Sequence, residues 1–454
     1  MKPLRGQRVV EVATYVAAPS GGLALARLGA DVIRVDPLGG GGAPPPPAPP
    51  PPPRRPGGGP GPPSPTTPTP GPPARPGRPT RSGGRAPAGR GAAATGVAPP
   101  GGAPHPPGGP PAPGGGSLYW TGLNKGKKSV TVDLRSPRGQ ELVTALVTER
   151  GTLLDNTVGW DWLADERLRA LRPDLVHVRV QGRPDGGPAL DYTVNAAVGV
   201  PQLTGPAGLD GPVNHQLPAW DLLTGSQAVN AVLAGLLHRA TTGEGSYAEV
   251  ALSDVALGAV ADLGWLGEAR LTGRDRPKQG NHIYGSFGTS FRTADGRHVI
   301  VVAMTRRQWR ALQEATGTTE QLSRLGERAG IDLDVEENRY RLREELVAVL
   351  APWFAERDVE TVTMAFADTP VLWQRYRSLT EVAADGGEPL LDEVDQPGIG
   401  PVPAARSAVR WASAPAEAVE PAPALGADTE AVLTGELGLG QKELAALVDE
   451  GVIR

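Results

Sequence analysis

Within its first 36 residues the chain passes from a buried-strand pattern to a helix and back to a strand. RVVEVA at 8–13 is mostly apolar and predicts a buried strand. PSGGLALARLGA at 19–30 predicts a helix that Gly29 can end, and DVIRVD at 31–36 predicts the second strand. Because two parallel strands of one sheet need a crossover between them, this βαβ pattern predicts an α/β fold.

A segment of almost pure Pro, Gly, Ala, Arg, Ser and Thr, residues 40–116, interrupts that pattern. It contains no Asp or Glu and few large apolar residues, so it cannot bury enough surface to offset the entropy lost on ordering. We expect it to be disordered, with polyproline stretches that could bind aromatic grooves. Alternatively, a short loop is read here in a wrong frame, since G and C alone can encode Pro, Gly, Ala and Arg.

Beyond that segment the alternation of strands and helices resumes. SVTVDL at 129–134 predicts a strand, and Ser136 can cap a helix with Pro137 at its first position. GTLLDN at 151–156 and LVHVRVQG at 175–182 predict two more strands. Strands that alternate with helices in this way form a mostly parallel, doubly wound sheet.

The pattern changes in the second half of the chain. Asp221 can cap a long helix, LLTGSQAVNAVLAGLLHRA, which is followed by the strand pattern SYAEVAL. FRTADGRHVIVVAM at 291–304 predicts a hairpin that turns at Asp295 and Gly296, and helices dominate from 305 to about 385.

The composition excludes several kinds of chemistry. There is no cysteine, which removes disulfides, zinc–thiolate sites and thiol nucleophiles, and six scattered histidines give no metal-ligand spacing. A formal net charge of −4 gives no reason to expect a nucleic-acid or membrane partner. No run approaches the ~20 apolar residues that span a bilayer, and the first residues lack the apolar core of a signal peptide. We therefore expect a soluble, cytoplasmic enzyme without a bound metal.

Two local features leave their chemistry open. GLNKGKKS at 122–129 is not a phosphate loop, because its glycines are too close and Lys128 stands where a hydroxyl should follow the lysine. Its lysines could hold phosphates or form a solvated basic turn. Asp191 is the one acid between 186 and 205, and it could cap a helix or act in catalysis.

Four blocks of sequence resemble the family III CoA-transferases, which include formyl-CoA transferase and the α-methylacyl-CoA racemases. The blocks are PLRGQRVVEVATYVAAPSGGLALARLGADVIRVD, NKGKKSVTVDLRSPRGQELV, GRPDGGPALDYTVNAAVGVPQLTG and PALGADTEAVLTGELGLGQKELAALVDEGVI. The resemblance covers essentially the whole chain except the proline-rich segment. It implies a Rossmann-like large domain with a mostly parallel sheet, a smaller α+β domain, and two chains interlocked in a homodimer.

The implied domains follow the family arrangement. The expected parts are the start of the large domain (1–39), the disordered insert (40–116), the large domain continued (117–200), the small domain (225–330), and a helical return with the C-terminal part of the large domain (331–454).

The resemblance also implies a reaction. Asp191 would attack an acyl-CoA thioester to give a mixed anhydride, and the freed thiolate would then give an aspartyl-CoA thioester. The stretches VNHQLPAWDLLTG and DRPKQGNHIYGSFG favour a branch of the family that moves CoA between the C1 and C4 carboxyls of one mesaconate. CoA would be part of the substrate, and no cofactor would be bound permanently.

Other site residues are carried over from the family position by position. The implied CoA contacts are Val16, Ala17, Arg34, Lys125, Lys128 and Asn156. The implied loop over the aspartate contains Gln279, Gly280, Asn281, His282 and Tyr284. A cation or several donors should bind the free carboxylate of the substrate, and the candidates are Arg183, Arg274, Arg276, His282 and Tyr284.

Three alternative functions remain at this point. An intermolecular transferase would use a separate dicarboxylic acid as acceptor. A racemase would need a His before the aspartate, where this chain has Leu190, although Asp221 matches the second racemase acid. A binding protein that works through its proline-rich segment would show no turnover of CoA thioesters.

Overall fold

The computed structural model describes residues 1–40 and 117–454. Apart from Gly40, the proline-rich segment lies outside the described residues. Its expected disorder therefore stays a prediction. The strands are β1 (Arg8–Val12), β2 (Asp31–Asp36), β3 (Lys128–Thr131), β4 (Thr152–Asp155), β5 (Val176–Gln181), β6 (Ser246–Ala251), β7 (Phe287–Arg292), β8 (His298–Ala303), β9 (Leu372–Arg375), β10 (Leu391–Gln396) and β11 (Gly400–Ala405).

Helices connect and cover these strands. They are α1 (Ala17–Arg27), α2 (Leu118–Leu123), α3 (Pro137–Arg150), α4 (Asp165–Leu171), α5 (Asp191–Ala197), α6 (Val200–Leu203), α7 (Ala219–Thr242), α8 (Leu252–Asp262), α9 (Trp265–Thr272), α10 (Arg306–Thr316), α11 (Thr319–Ala329), α12 (Glu336–Arg341), α13 (Arg343–Ala355), α14 (Val359–Phe366), α15 (Leu379–Ala384), α16 (Thr429–Leu437) and α17 (Gln441–Asp449). In the part of the chain that the structure describes, no helix is long and apolar enough to cross a membrane.

The first six strands form one parallel sheet in the order β3-β2-β1-β4-β5-β6. The doubly wound parallel sheet expected from the sequence is therefore confirmed. The direction of winding reverses between β1 and β4, and ligands of such sheets bind in the crevice at the carboxyl ends of the strands beside that reversal.

Both faces of this sheet are covered by apolar packing. Along β1, Val9 packs on the face covered by α1 and α7, whereas Val10 and Val12 face α3, α16 and α17. This division follows from the alternation of side chains along a strand. The last two helices thus return to the sheet that the first residues begin, as the resemblance implied.

Helices α1 and α7 lie unusually close because glycines stand at their crossing. A Cβ atom built on Gly225 would lie 2.6 Å from the carbonyl oxygen of Ala17 and would clash with the hydroxyl of Ser20. A Cβ atom on Gly21 would lie 3.1 Å from the carbonyl oxygen of Gly225. This contact fixes where the amino end of α7 lies relative to the sheet.

A second, antiparallel sheet has the order β7-β8-β9, and its β7–β8 hairpin confirms the turn predicted at Asp295 and Gly296. Its core, which includes Phe287, Trp309 and Phe354, is covered by α10, α11, α13 and α14. Helix α7 and strand β6 lie in the range expected for the small domain, yet they pack in the parallel sheet. Buried residues of α7 and partly buried residues of β6 join the core on that sheet. The remaining domain boundaries stay predictions.

Candidate active site

Asp191 is the first residue of α5 and lies in the connection that follows β5. Its side chain is only 2% exposed, although it carries a carboxylate. Oδ2 accepts hydrogen bonds from the backbone N–H groups of Trp220 at 2.8 Å and Asp221 at 3.2 Å. Oδ1 lies 2.5 Å from Nε2 of His215. An ionised carboxylate can only accept, so Nε2 of His215 is the donor when Asp191 is ionised.

These contacts show which helix end the side chain of Asp191 binds. Leu190, and not Asp191, occupies the capping position of α5, so Asp191 is not the cap of the helix that begins there. Its carboxylate instead binds the amino end of α7, where free N–H groups and the helix dipole favour an anion. Asp221 was expected to cap α7, but Pro218 occupies that position and Asp221 lies in the first turn.

A polar network holds the two segments that meet at Asp191. The indole Nε1 of Trp220 donates to Oδ1 of Asn195 at 3.0 Å, and Nδ2 of Asn195 donates to Asn214 at 3.1 Å. Asn195 is fully buried, so these bonds are shielded from water. The rings of Tyr192 and Trp220 lie 6.1 and 6.2 Å from that of His215. Two aromatic rings therefore lie near the imidazole.

A second acid lies beside the first. Burial, and next the charge of Asp191, raise the pKa of Asp221 to about 6. Burial, and then the nearby Asp221 and Tyr192, raise the pKa of the Tyr119 phenol to about 12. Tyr119 of α2 is therefore a neutral phenol near Asp221, and its place there is not evident from the sequence.

The raised pKa of Asp221 predicts a pH-dependent gain in stability for Asp221→Asn. A carboxyl whose pKa is about 6 in the folded state and 3.8 otherwise destabilises the fold increasingly as the pH rises above 3.8, and to the full extent above about pH 6. The variant should gain about 1–3 kcal/mol in free energy of unfolding at pH 7.5, and about a third of that at pH 4.5. Urea unfolding at both pH values measures this. Asp210→Asn, which changes an exposed acid of the preceding loop, should gain no stability. An equal gain for Asp221→Asn at both pH values would contradict the raised pKa of Asp221.

The turn after β1 contains the implied CoA contacts Val16 and Ala17, both of which are buried. Asn156, just after β4, accepts from the Thr14 N–H at 3.1 Å and donates to the Thr14 carbonyl at 3.0 Å. The structure thus brings these three residues together at the reversal of the sheet. Tyr15 has a φ of +63°, a strained conformation for a residue with a side chain, and half of its surface is exposed at this crevice.

Arg34 lies in a buried group of charges and does not face solvent. Its guanidinium contacts Asp36 at 2.8 Å and Glu11 at 2.9 Å. Burial alone would lower the pKa of Arg34, but these two carboxylates outweigh it and raise the pKa. Lys127 contacts the same Glu11 at 2.8 Å, and burial lowers its pKa to about 8. The side chain of Arg34 is therefore already fully engaged, and its CoA contact stays a prediction.

The two lysines expected to bind CoA phosphates lie in different surroundings. Lys125 is 7% exposed, its ammonium is 3.4 Å from the side-chain oxygen of Gln396, and it borders a cavity of about 470 Å³. Burial, and next Arg27, lower the pKa of Lys125. Lys128 is exposed and forms an ion pair with Asp31 at 3.0 Å, at the amino end of β2. The two ammonium groups have different partners, and both assignments stay predictions.

Four polar side chains of the expected loop have a partner outside it. Gln279 bonds Tyr340 at 2.7 Å, Asn281 bonds Ser290 at 2.9 Å, His282 lies 3.4 Å from Glu344, and Tyr284 bonds Glu268 at 2.7 Å. Burial is the main cause that lowers the pKa of His282. The N–H of Gly280 donates to the carbonyl of Gly205 at 2.9 Å, which ties the loop to the segment leading to His215. Closure of this loop over Asp191 stays a prediction.

The family model described as CoA-transferase family III matches residues 4–47 and 83–429. This chain belongs to that family. It is 38% identical to 2-methylfumaryl-CoA isomerase of Chloroflexus aurantiacus, over 99% of this chain and 97% of that protein. It is 26% identical to succinyl-CoA–D-citramalate CoA-transferase of the same organism, over 74% of this chain and 85% of that protein.

Solved structures agree on the fold. A CAIB/BAIF family protein from Brucella suis superposes with a TM-score of 0.67 at 23% identity, over 95% of this chain and 99% of that one. Rv3272 from Mycobacterium tuberculosis gives 0.64 at 24% identity, over 94% and 98%. As a member of CoA-transferase family III, the chain is a CoA-transferase, and CoA enters its reaction as part of the substrate. Among residues 1–40 and 117–454, no three potential metal ligands form a cluster.

For this CoA-transferase, sequence reasoning singled out Asp191, whose catalytic role stays a prediction, and missed the groups that hold its carboxylate. His215, Trp220 and Asn195 were not assigned a role. The stretch HQLPAWD contains the relevant pattern. A histidine is followed by a proline just before a helix start, then by an aromatic residue and an acid. That pattern does not indicate that the segment folds back onto Asp191, which lies in another helix.

Proposed function

We propose that this CoA-transferase isomerises 2-methylfumaryl-CoA (mesaconyl-CoA) by moving CoA between the C1 and C4 carboxyls of one mesaconyl unit. The observation that carries the proposal is the buried carboxylate of Asp191 at the amino end of α7, with one oxygen held by two backbone N–H groups. The 38% identity to an isomerase of that name over nearly the whole chain supports the substrate.

The reaction begins when Oδ1 of Asp191 attacks the thioester carbonyl and CoA leaves as the thiolate. The product is a mixed anhydride between Asp191 and the substrate. The thiolate then attacks Cγ of Asp191, so an aspartyl-CoA thioester forms and a substrate carboxylate is released. The other carboxylate of the same substrate attacks Cγ, and the reverse steps deliver the isomeric thioester. The low exposure of Asp191 helps to keep water from the anhydride.

The amino end of α7 contributes at each attack on Cγ. Oδ2 stays bound to Cγ and gains negative charge whenever that carbon becomes tetrahedral. The N–H groups of Trp220 and Asp221 already point at this oxygen, so they stabilise the developing charge without rearrangement. Removal of one such donor in other enzymes costs about 10²–10³-fold in rate.

Labelling tests whether the acceptor carboxylate belongs to the donor molecule. With mesaconyl-C1-CoA alone, the C4 thioester should form, because the second carboxylate is already positioned beside Cγ. Isotope-labelled free mesaconate or succinate, added in excess, should enter the product thioester at less than about a tenth of the isomerisation rate, since a positioned group has a large effective concentration. Label that enters as fast as isomerisation proceeds would instead establish an intermolecular transferase.

We also propose that the chain forms the homodimer that the family resemblance implies. Large apolar side chains are exposed on α7, α8 and α9, including Leu237, Leu257 and Leu271. Exposed apolar patches of this kind mark surfaces that another chain can cover.

A further inference from the structure

The proposed reaction requires a group that keeps the substrate in place while CoA is bound to Asp191. Of the cations considered from the sequence, Arg276 binds Glu268 and lies 3.9 Å above the ring of Tyr284. Arg183 lies 3.5 Å from Asp185, and His282 lies beside Glu344. These side chains are paired with acids of the protein. Arg274 is exposed beyond the end of α9, and none of these cations contacts Asp191. A group that does contact Asp191 is therefore better placed to receive the carboxylate of the substrate.

We propose that His215 binds the substrate carboxylate that leaves Asp191, and so retains the mesaconyl unit between the two half-reactions. This inference rests on the proposed function and names the contact that makes the transfer intramolecular. It follows from the different partners of the two oxygens of Asp191.

The two oxygens of Asp191 are held in different ways. Oδ2 accepts from two backbone N–H groups of α7, which cannot move without moving the helix. Oδ1 has the imidazole of His215 as its hydrogen-bond partner, at 2.5 Å. One hydrogen bond to a partly exposed side chain is easier to give up during attack than two hydrogen bonds to the backbone of a helix. Oδ1 is therefore the oxygen that attacks.

The oxygen that attacks is also the oxygen that leaves. Once Oδ1 has bonded to the acyl carbon, it bridges Asp191 and the substrate in the anhydride. When the thiolate attacks Cγ, the bond between Cγ and Oδ1 breaks and its electrons stay on Oδ1. This oxygen then belongs to the released carboxylate, and the former thioester carbonyl oxygen is its second oxygen. The new anion therefore forms beside Nε2 of His215, with no proton gained or lost.

The surroundings of His215 suit a receiving group. Its side chain is 24% exposed, whereas that of Asp191 is 2% exposed, so the imidazole lies between the buried acid and the open side of the site. The preceding Asn214 is anchored to the buried Asn195, and aromatic rings of Tyr192 and Trp220 flank the imidazole. The donor is thus fixed in position but reachable. A charge-assisted bond from it would slow escape of the free acid.

The test measures how each variant divides its turnovers between isomerisation and loss of mesaconate. A single turnover of mesaconyl-C1-CoA is followed by intact mass of the protein, for the aspartyl-CoA adduct, and by free mesaconate in the filtrate. His215→Ala should raise free mesaconate relative to C4 thioester by at least tenfold. His215→Gln, whose amide nitrogen can reach the position of Nε2, should restore much of the wild-type ratio. His238→Ala, an exposed histidine farther along α7, is the control and should leave the ratio unchanged.

The outcomes separate the two proposals. If His215→Ala slows turnover and leaves the ratio of free mesaconate to C4 thioester unchanged, the imidazole only supports the structure and this inference is overturned. If His215→Ala does not fold, the ratio of free mesaconate to C4 thioester is compared between His215→Gln and His215→Asn. The amide of asparagine is shorter and cannot reach as far, so only His215→Asn should release more mesaconate. Wild-type enzyme that incorporates external labelled acid as fast as it isomerises would refute the proposed function, whatever the variants do.

Discussion

Asp191→Asn is expected to lose at least about 10³-fold in kcat while the protein keeps its fold and its affinity for CoA, a loss of ~4 kcal/mol in transition-state stabilisation. The amide oxygen of asparagine can still accept from Trp220 and Asp221, so the amino end of α7 keeps a partner. The amide nitrogen cannot attack a thioester as the carboxylate does. Steady-state assays with mesaconyl-CoA and calorimetric titration with CoA measure the two effects.

Asp191→Ala separates the chemical role from the structural one. Alanine removes the acceptor at the amino end of α7 as well as the nucleophile, so it should also lower stability by about 1 kcal/mol, as loss of a helix cap does. Hydroxylamine added during turnover should modify Asp191 in the wild-type enzyme alone. If Asp191→Asn, checked by mass for deamidation, retains more than about a hundredth of the activity, the aspartyl mechanism is wrong.

Much of the fold could be predicted from the sequence because its signals are local. The apolar runs at 8–13 and 175–182 became β1 and β5, since buried parallel strands need little besides continuous apolar residues. The capping signal at Ser136 and Pro137 placed the start of α3 correctly. Strand β6 was predicted as a strand, but its partner was not. The pairing of β6 with β5 depends on how α7 packs, and a local pattern does not contain that information.

The site was less predictable because its chemistry is made by contacts between distant segments. Asp191 stood out as an isolated acid, but its partner His215 lies 24 residues farther along the chain in an irregular segment. The family resemblance implies CoA contacts for Arg34 and Lys128, and a match of position says nothing about the acids nearby. Asp36 and Asp31 hold their side chains in this structure. Residue identity predicts what a group can do, and only its neighbours decide whether it is available.

The second large effect is expected from Gly225→Ala, at the crossing of α1 and α7. In the interior of a helix this change usually stabilises by about 0.5–1 kcal/mol, because alanine restricts the unfolded chain. Here the added Cβ atom would lie 2.6 Å from a backbone carbonyl oxygen of α1, which cannot rotate away. Overpacking of this kind costs about 1–3 kcal/mol, and the clash should reverse the usual sign.

The same change should also reduce turnover, because α7 carries the N–H groups that bind Asp191. A displacement of about 1 Å at a reacting group can cost on the order of 10²-fold in rate, and α7 can relieve the clash only by moving. Urea unfolding and assays of Gly225→Ala measure both effects. The matched control is Gly435→Ala in α16, where the added Cβ has no neighbour within 4 Å. The stability of this variant should be unchanged or slightly higher. Equal stability changes in the two variants would show that the crossing of α1 and α7 does not set the position of the active-site helix.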